Sequence, residues 1–564
     1  MTSGKNESLA VVCWTTTAML GCFLCFLHLG AMISLMANRT GFRLIAPLAL
    51  LAALLAGVWL THKERLSQGL RWLPLALTIG LIALSVALSA FYFDLSWDGQ
   101  WYHQTAIIHI ASDWNPLTDP MHEFAKHLQA WVRHYPKGPW YEAAAIYRTT
   151  GHIELGKCVP WIALAAAFFG TLAALLEGGL HRAPAIVLAA VIALNPAVTS
   201  ELTGFMVDGI MFSFLTVAIA AMISAIRSFG WAVLVSGITA SIVAINAKFT
   251  GLVFLCIAFA AVGVWCWFNQ RAKAARFAVA ACGTVVLGVC VWGYNPYVTN
   301  TIHVHQPLYP VLGSAQCPAI DHIERGETPK NMRGRNRLVR LGYAIFGRPG
   351  NQPYFAGSSA TLMLPFMAHR ADLYAYTYQE TRVAGFGPWF SGCLLLSLAL
   401  TTWLVADRIP SRWMLLLICA TIVGSLLMNR HLWWPRYGPQ LWWLPILPLI
   451  LTLRLGRPRR QQGLAWAVLG VLLLNALIVT GVRMKWETTH SIALRRQLKN
   501  MHDAGTEYRV STRYFTASAR VRLGEAGIRY QDLGMKKLPS GHELVSVVEH
   551  YPDATRYLAV DENR

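Results

Sequence analysis

WLPLALTIGLIALSVALSAFYFDLSWDGQWYH, residues 72–103, sets an uncharged apolar run directly against two carboxylates, Asp94 and Asp98. The run is long enough to cross the roughly 30 Å hydrocarbon core of a bilayer as a helix. Carboxylates next to such a run are costly unless they are paired or used. The stretch therefore reads as a membrane helix that delivers an acidic loop to one face.

The rest of the chain repeats the apolar half of this pattern. Of 564 residues 55% are hydrophobic and 13% charged, and the apolar residues fall in blocks of membrane-crossing length. Spans are expected near 10–36, 43–60, 72–92, 158–176, 183–195, 209–226, 231–247, 250–268, 277–293, 384–405, 413–428, 441–453 and 464–481, about thirteen in all. The expected fold is an all-α polytopic membrane protein. The first block has too long an apolar core for a secretory signal peptide and reads as a span. The formal charge of +20 does not indicate nucleic acid, because Lys and Arg lie in short connectors and in the tail.

Connectors 62–71, 269–276, 407–412 and 454–460 hold Lys63, Arg65, Arg71, Arg271, Lys273, Arg276, Arg408, Arg412, Arg454, Arg457, Arg459 and Arg460. The positive-inside rule puts them in the cytoplasm, with Arg39 and Arg43 of the first outside turn as the exceptions. Loops 93–157 and 294–383, the turn 195–208 and the tail then face outward. The membrane domain is expected over 1–482, followed by a small extracytoplasmic α/β domain over 483–564, with strand-like stretches at 508–511 and 544–548 and helix-like ones at 491–501 and 517–526. Cys317 is the one cysteine clearly in an outer loop, so no disulfide framework is implied. There is no Walker-type GxxxxGK[ST] and no zinc-type Cys or His spacing.

The unusual polar residues map to the outward side. They are Asp94, Asp98, Trp101 and His103 in the first loop, Glu201 and Asp208 after Asn195-Pro196, and Lys248 in NAKFTGL (246–252). His303 and His305 follow Asn295-Pro296-Tyr297, and Arg430, His431, Arg436 and Tyr437 lie in NRHLWWPRYGPQ (429–440). Carboxylates and cations on one surface suit a reaction in which a nucleophile loses a proton while charge builds on a leaving group. Each residue also has a plainer reading. The acids serve as caps or interface markers, the aromatics as an interfacial belt, Lys248 as a snorkelling side chain and the arginines as helix-end anchors.

The motifs WDGQWYH (97–103), NAKFTGL (246–252), NPYVTN with HQPLYP (295–310) and WWPRYGPQ (433–440) resemble the GT-C superfamily, polytopic glycosyltransferases that take sugars from polyprenyl phosphates. The likeness is strongest to the bacterial protein-mannosyltransferase and aminoarabinose-transferase branch, and it covers most of the membrane region. It implies Asp98, with Asp94 as second choice, as the acidic residue that is the catalytic base or its partner, and Lys248, Arg430 and Arg436 as phosphate ligands. It also implies a location in the bacterial cytoplasmic (inner) membrane. Two extra spans before the loop, and Gly99 where a second acid is usual, depart from the family and leave the divalent-metal requirement, subfamily and acceptor open.

The function expected on this basis is inverting sugar transfer from a polyprenyl-phosphate donor to an extracytoplasmic acceptor: a cell-envelope glycan, lipid or protein. Asp98 acts as base, and His103, Trp101, Glu201, Asp208, His303, His305, His431 and Tyr437 as substrate-binding residues. No nucleic acid and no certain cofactor enter. The rivals are an O-antigen-ligase or polymerase-like enzyme using a lipid-diphosphate glycan, for which Arg325, Arg333, Arg335 and Arg337 speak, a transporter or flippase, and a non-catalytic scaffold.

Overall fold

A computed structural model of the chain describes residues 2–321, 323–351, 358–538, 541–545 and 555–560. Residues 546–548 of the strand-like stretch 544–548 lie outside them. Among the described residues, eight helices are long and apolar enough to cross a membrane: Asn6–Met36, Phe42–Lys63, Leu73–Phe91, Ile153–Glu177, Asp208–Arg227, Phe249–Asn269, Arg271–Trp292 and Arg459–Ala504. Four shorter apolar helices, Arg182–Ala193, Trp231–Ala247, Phe390–Ala406 and Arg412–Met428, accompany them. The architecture is compatible with a helical membrane protein.

The Asn6–Met36 helix runs through the middle of the bundle, where Trp14, Ala18 and Leu24 are fully buried. Small residues permit the close packing: a Cβ on Gly21 would lie 2.3 Å from Thr239 Oγ1 of the neighbouring helix. The Phe42–Lys63 and Leu73–Phe91 helices turn Leu48, Leu51, Leu55, Ile79 and Leu84 outward. In water such apolar faces would be unstable; a bilayer is their solvent.

The last helix continues unbroken over Arg459–Ala504, so the domain boundary expected at 482–483 falls inside it. The physical reason is local. After Gly481 no glycine or proline interrupts the helix until Gly505, which takes the left-handed conformation (φ 62°) that ends it. Beyond it, β1 (Tyr508–Ser511), β2 (Tyr530–Asp532), β3 (His542–Glu543) and β4 (Arg556–Ala559) form a sheet in the order β2-β1-β4-β3. Parallel β1 and β2 need a crossover, which the helix Thr516–Glu525 provides; β1–β4 and β3–β4 are antiparallel. The tail packs on the membrane domain through a core that joins Leu95 of the first loop to Leu494, Leu498, Val510 and Leu523.

Candidate functional site

The first long loop leaves the Leu73–Phe91 helix extended and re-enters helix at residue 97. Ser96 caps that start, its Oγ accepting from Gly99 N at 3.0 Å. Asp94 in turn holds Ser96. Its Oδ1 accepts from Ser96 N (2.8 Å) and Ser96 Oγ (2.6 Å), and its Oδ2 from Phe205 N (3.0 Å). Asp94 is fully buried, and burial pushes its carboxyl up, against the pull of Lys157 and the Ser96 donors. Gly99 is required here, since a Cβ would sit 2.0 Å from Asp94 Oδ2. Asp94 thus builds the turn, and Asp98, in the first turn of the helix it starts, is presented by it.

Asp98 pairs with one distant side chain, Arg436, which ties it to further chain segments. Arg436 Nη1 donates to Asp98 Oδ2 at 3.2 Å and lies 2.7 Å from Glu380 Oε1, so one guanidinium joins two carboxylates. The Asp98 side chain is 18% exposed, neither sealed nor in bulk solvent. The Arg436 guanidinium lies 4.0 Å from the Trp434 ring centre and donates through Nη2 to Tyr437 Oη at 3.2 Å. Lys248, in the extended break between helices Trp231–Ala247 and Phe249–Asn269, pairs with Asp208, and its ammonium lies 4.4 Å over the Tyr437 ring. Asp208 opens the helix Asp208–Arg227, where the helix dipole favours a negative charge. Arg382 pairs with Glu327 at 3.0 Å and shares the Trp434 ring at 4.5 Å.

Burial sets the protonation pattern. Glu380 is pushed up to about 7 by burial, against the pull of Arg436. Glu201 is pushed well above the carboxylate range by burial and then by Asp208. His103 is held well below its ordinary value by burial and then by Arg436 and Lys248, so its imidazole is neutral. Trp140 Nε1 donates to His103 Nδ1 at 2.7 Å, which leaves the imidazole proton on Nε2. Tyr102, Tyr135 and Tyr437 are pushed up by burial and stay phenols. Among the described residues, His103 Nε2, Glu201 Oε1 and both amide atoms of Gln379 are buried without a hydrogen-bond partner. Such orphans cost about 1–3 kcal/mol each, a cost that a polar ligand or water relieves.

Asp98, His103, Glu201, Asp208, Lys248, Arg436 and Tyr437 therefore gather in one region. Others do not join it. Arg430 and His431 both turn to Asp321, at 3.3 and 3.2 Å. His303 and His305 are exposed at the end of the helix Thr299–Val304, with His305 in the left-handed cap position. Trp101 lies parallel to His127 at 6.3 Å, and its neighbour Trp97 packs on Tyr514 and Phe515 of the tail. Glu380, Tyr135, Glu327 and Arg382 belong to the cluster without having been singled out, and Tyr102, which the sequence offers as a belt or sugar-platform aromatic, joins them. The available signal was the charged segment YQETR (378–382) immediately ahead of a span, where polar side chains need partners.

The arrangement can accept a proton at a carboxylate and hold developing negative charge on two cations. Comparison with protein-family models, with curated proteins and with solved structures finds no match for this chain.

Proposed function

We propose that the chain is a GT-C-type glycosyltransferase that moves a sugar from a polyprenyl phosphate to an extracytoplasmic acceptor. The observation that carries this reading is the Arg436 guanidinium between Asp98 and Glu380, beside the Lys248–Asp208 pair, at the ends of apolar helices. The acceptor oxygen attacks the anomeric carbon, its proton passes to Asp98, and the bond from that carbon to the phosphate oxygen breaks with its electron pair leaving on the phosphate. Arg436 and Lys248 hold that charge. Both cations are paired before substrate arrives, so an incoming phosphate must displace a carboxylate. Glu380, poised near 7, takes up a proton more readily as a second anion approaches, and this releases Arg436.

In this reading the chain crosses the bacterial cytoplasmic membrane about thirteen times: by the eight long helices, the four shorter apolar ones and the segment 441–453, which overlaps the helix Ile446–Arg454. The cluster and the tail lie outside. The basic connectors support a common opposite end: Glu64 Oε1 accepts from Ala232 N at 2.8 Å, and Lys273 Nζ donates to Ile226 O at 2.5 Å.

Replacement of Asp98 by Asn should lower transfer by about 10²–10⁴-fold and leave the fold intact; full activity in that variant excludes Asp98 as the base. A second reading, a ligase or polymerase taking a lipid-diphosphate glycan, is favoured by a cleft of about 730 Å³ lined by Arg335, Arg337, Arg340, Arg430, Leu338 and Leu427. Donor chemistry separates the two: turnover of a monophosphate-linked single sugar supports the first, and turnover only of a diphosphate-linked oligosaccharide the second.

A further inference from the structure

We propose that His109, Asp113 and His122 bind a late first-row divalent metal ion, with Zn²⁺ the first candidate, and that Asp119 orients His122 for it. One ligand atom from each of the three residues lies within 4.8 Å of the other two. His109 and Asp113 stand one helical turn apart at the end of the helix Gln104–Ser112, and His122 returns to them across a short loop. His109 Nδ1 faces Asp113 Oδ1 at 2.8 Å, while His122 Nε2 faces Asp113 Oδ2 at 3.8 Å. The two imidazoles thus converge on the two oxygens of a single carboxylate. Small rotations bring all three groups onto one ion at the usual bond lengths of about 2.0–2.2 Å, with a further position open to water.

An independent feature is the second carboxylate. His122 Nδ1 donates to Asp119 Oδ2 at 3.1 Å, which fixes the ring's tautomer and leaves the Nε2 lone pair aimed into the cluster. A carboxylate behind a ligating imidazole is the arrangement that orients histidines at metal centres and strengthens them as ligands. The loop is held independently of any ion: Trp114 Nε1 donates to Asp119 O at 2.6 Å, and Asp119 N to Asn115 O at 2.7 Å. Phe124 walls the site, its ring centre 5.3 Å from that of His109 and 5.1 Å from that of His122. The side chains are 30%, 55% and 23% exposed, so an ion has an entry path.

Plain histidine–aspartate ion pairs at such exposure are weak and do not need two imidazoles on one carboxylate. Two imidazole nitrogens with one carboxylate oxygen suit Zn²⁺ and its first-row neighbours better than Ca²⁺ or Mg²⁺, which take oxygen ligands. The helical stretch from Asp98 to this cluster is roughly 20 Å long, so the ion does not touch the Asp98 region. It clips the far end of the helix whose first turn presents Asp98.

The full-length protein, purified without a polyhistidine tag and stripped with EDTA, should retain one equivalent of Zn²⁺ after dialysis against micromolar ZnCl₂, read by elemental analysis. Combined replacement His109→Ala and His122→Ala should abolish retention, and Asp119→Asn should weaken it about 10–100-fold. X-ray absorption of the zinc-loaded wild type, which depends on no variant, should show two imidazoles and oxygen ligation. Failure of the wild type to retain zinc, undiminished retention in the double variant, or a zinc environment lacking two imidazoles overturns the proposal.

Discussion

Asp94 and Asp98 stand four residues apart in one loop, yet the structure assigns them opposite sensitivities. In Asp94→Asn one acceptor oxygen becomes an amide NH₂. If the remaining oxygen keeps the two Ser96 donors, the NH₂ meets the Phe205 N–H, now at 3.0 Å from Oδ2. An unpaired buried donor costs about 1–3 kcal/mol, and the two surviving bonds lose their charge assistance, about 1 kcal/mol each. Relief of the buried charge returns part of this, leaving a net loss of about 2–4 kcal/mol. In Asp98→Asn the partly exposed side chain loses one 3.2 Å ion pair, while Arg436 keeps Glu380 at 2.7 Å. The stability cost should stay near about 1 kcal/mol or less, whereas loss of a general base should lower transfer by about 10²–10⁴-fold. Thermal unfolding in detergent followed by tryptophan fluorescence, together with transfer from a radiolabelled polyprenyl-phosphate sugar in proteoliposomes, reads both quantities. Unfolding of Asp94→Asn together with wild type, or full transfer by Asp98→Asn, refutes this division of roles.

Glu380 titrates near 7 in the fold and near 4.5 in the unfolded chain, so between these values the folded state binds the extra proton. Its contribution to stability therefore falls as pH rises through that window, and Glu380→Gln should flatten the decline of melting temperature measured between pH 5 and pH 8. Arg436→Leu leaves Asp98 and Glu380 facing each other without their cation, a change expected to destabilise by about 3–5 kcal/mol. Adding Glu380→Gln should recover part of that loss in a double-mutant cycle, and strict additivity would deny the coupling. Arg522 of the tail donates to Gln100 Oε1, Asp94 O and Glu154 Oε1 at 2.9–3.0 Å. Arg522→Ala should loosen the tail and speed limited proteolysis near Gly505 on a gel time course, with unchanged cleavage counting against that anchoring role.

Much of the helical frame could be read along the chain, because a membrane helix is a local statement: one run of apolar residues satisfies its own backbone and needs only length. The expected 231–247 matches the helix Trp231–Ala247 residue for residue, and 158–176 differs from Cys158–Glu177 at one end only. At 482–483, where the change from apolar to charged residues sets the expected boundary, the helix itself runs on, because no glycine or proline interrupts it before Gly505. The side-chain clusters were less legible. Glu380 and Arg436 are more than fifty residues apart, and only packing brings them to 2.7 Å. His109 and Asp113 have the one-turn spacing of ligands on a helix, but His122 returns through a loop, so no motif of fixed spacing covers all three.

From its sequence alone the chain determines that apolar helices carry it and that acidic and basic residues gather in the segments between them, since hydrophobic length and charge placement act residue by residue. Tertiary structure alone decided which of two neighbouring aspartates is buried in a turn and which faces a guanidinium. The reason is that a carboxylate's role depends on the donors and cations around it, and the partners that set these two apart, the Phe205 N–H at Asp94 and the Arg436 guanidinium at Asp98, are both distant in sequence.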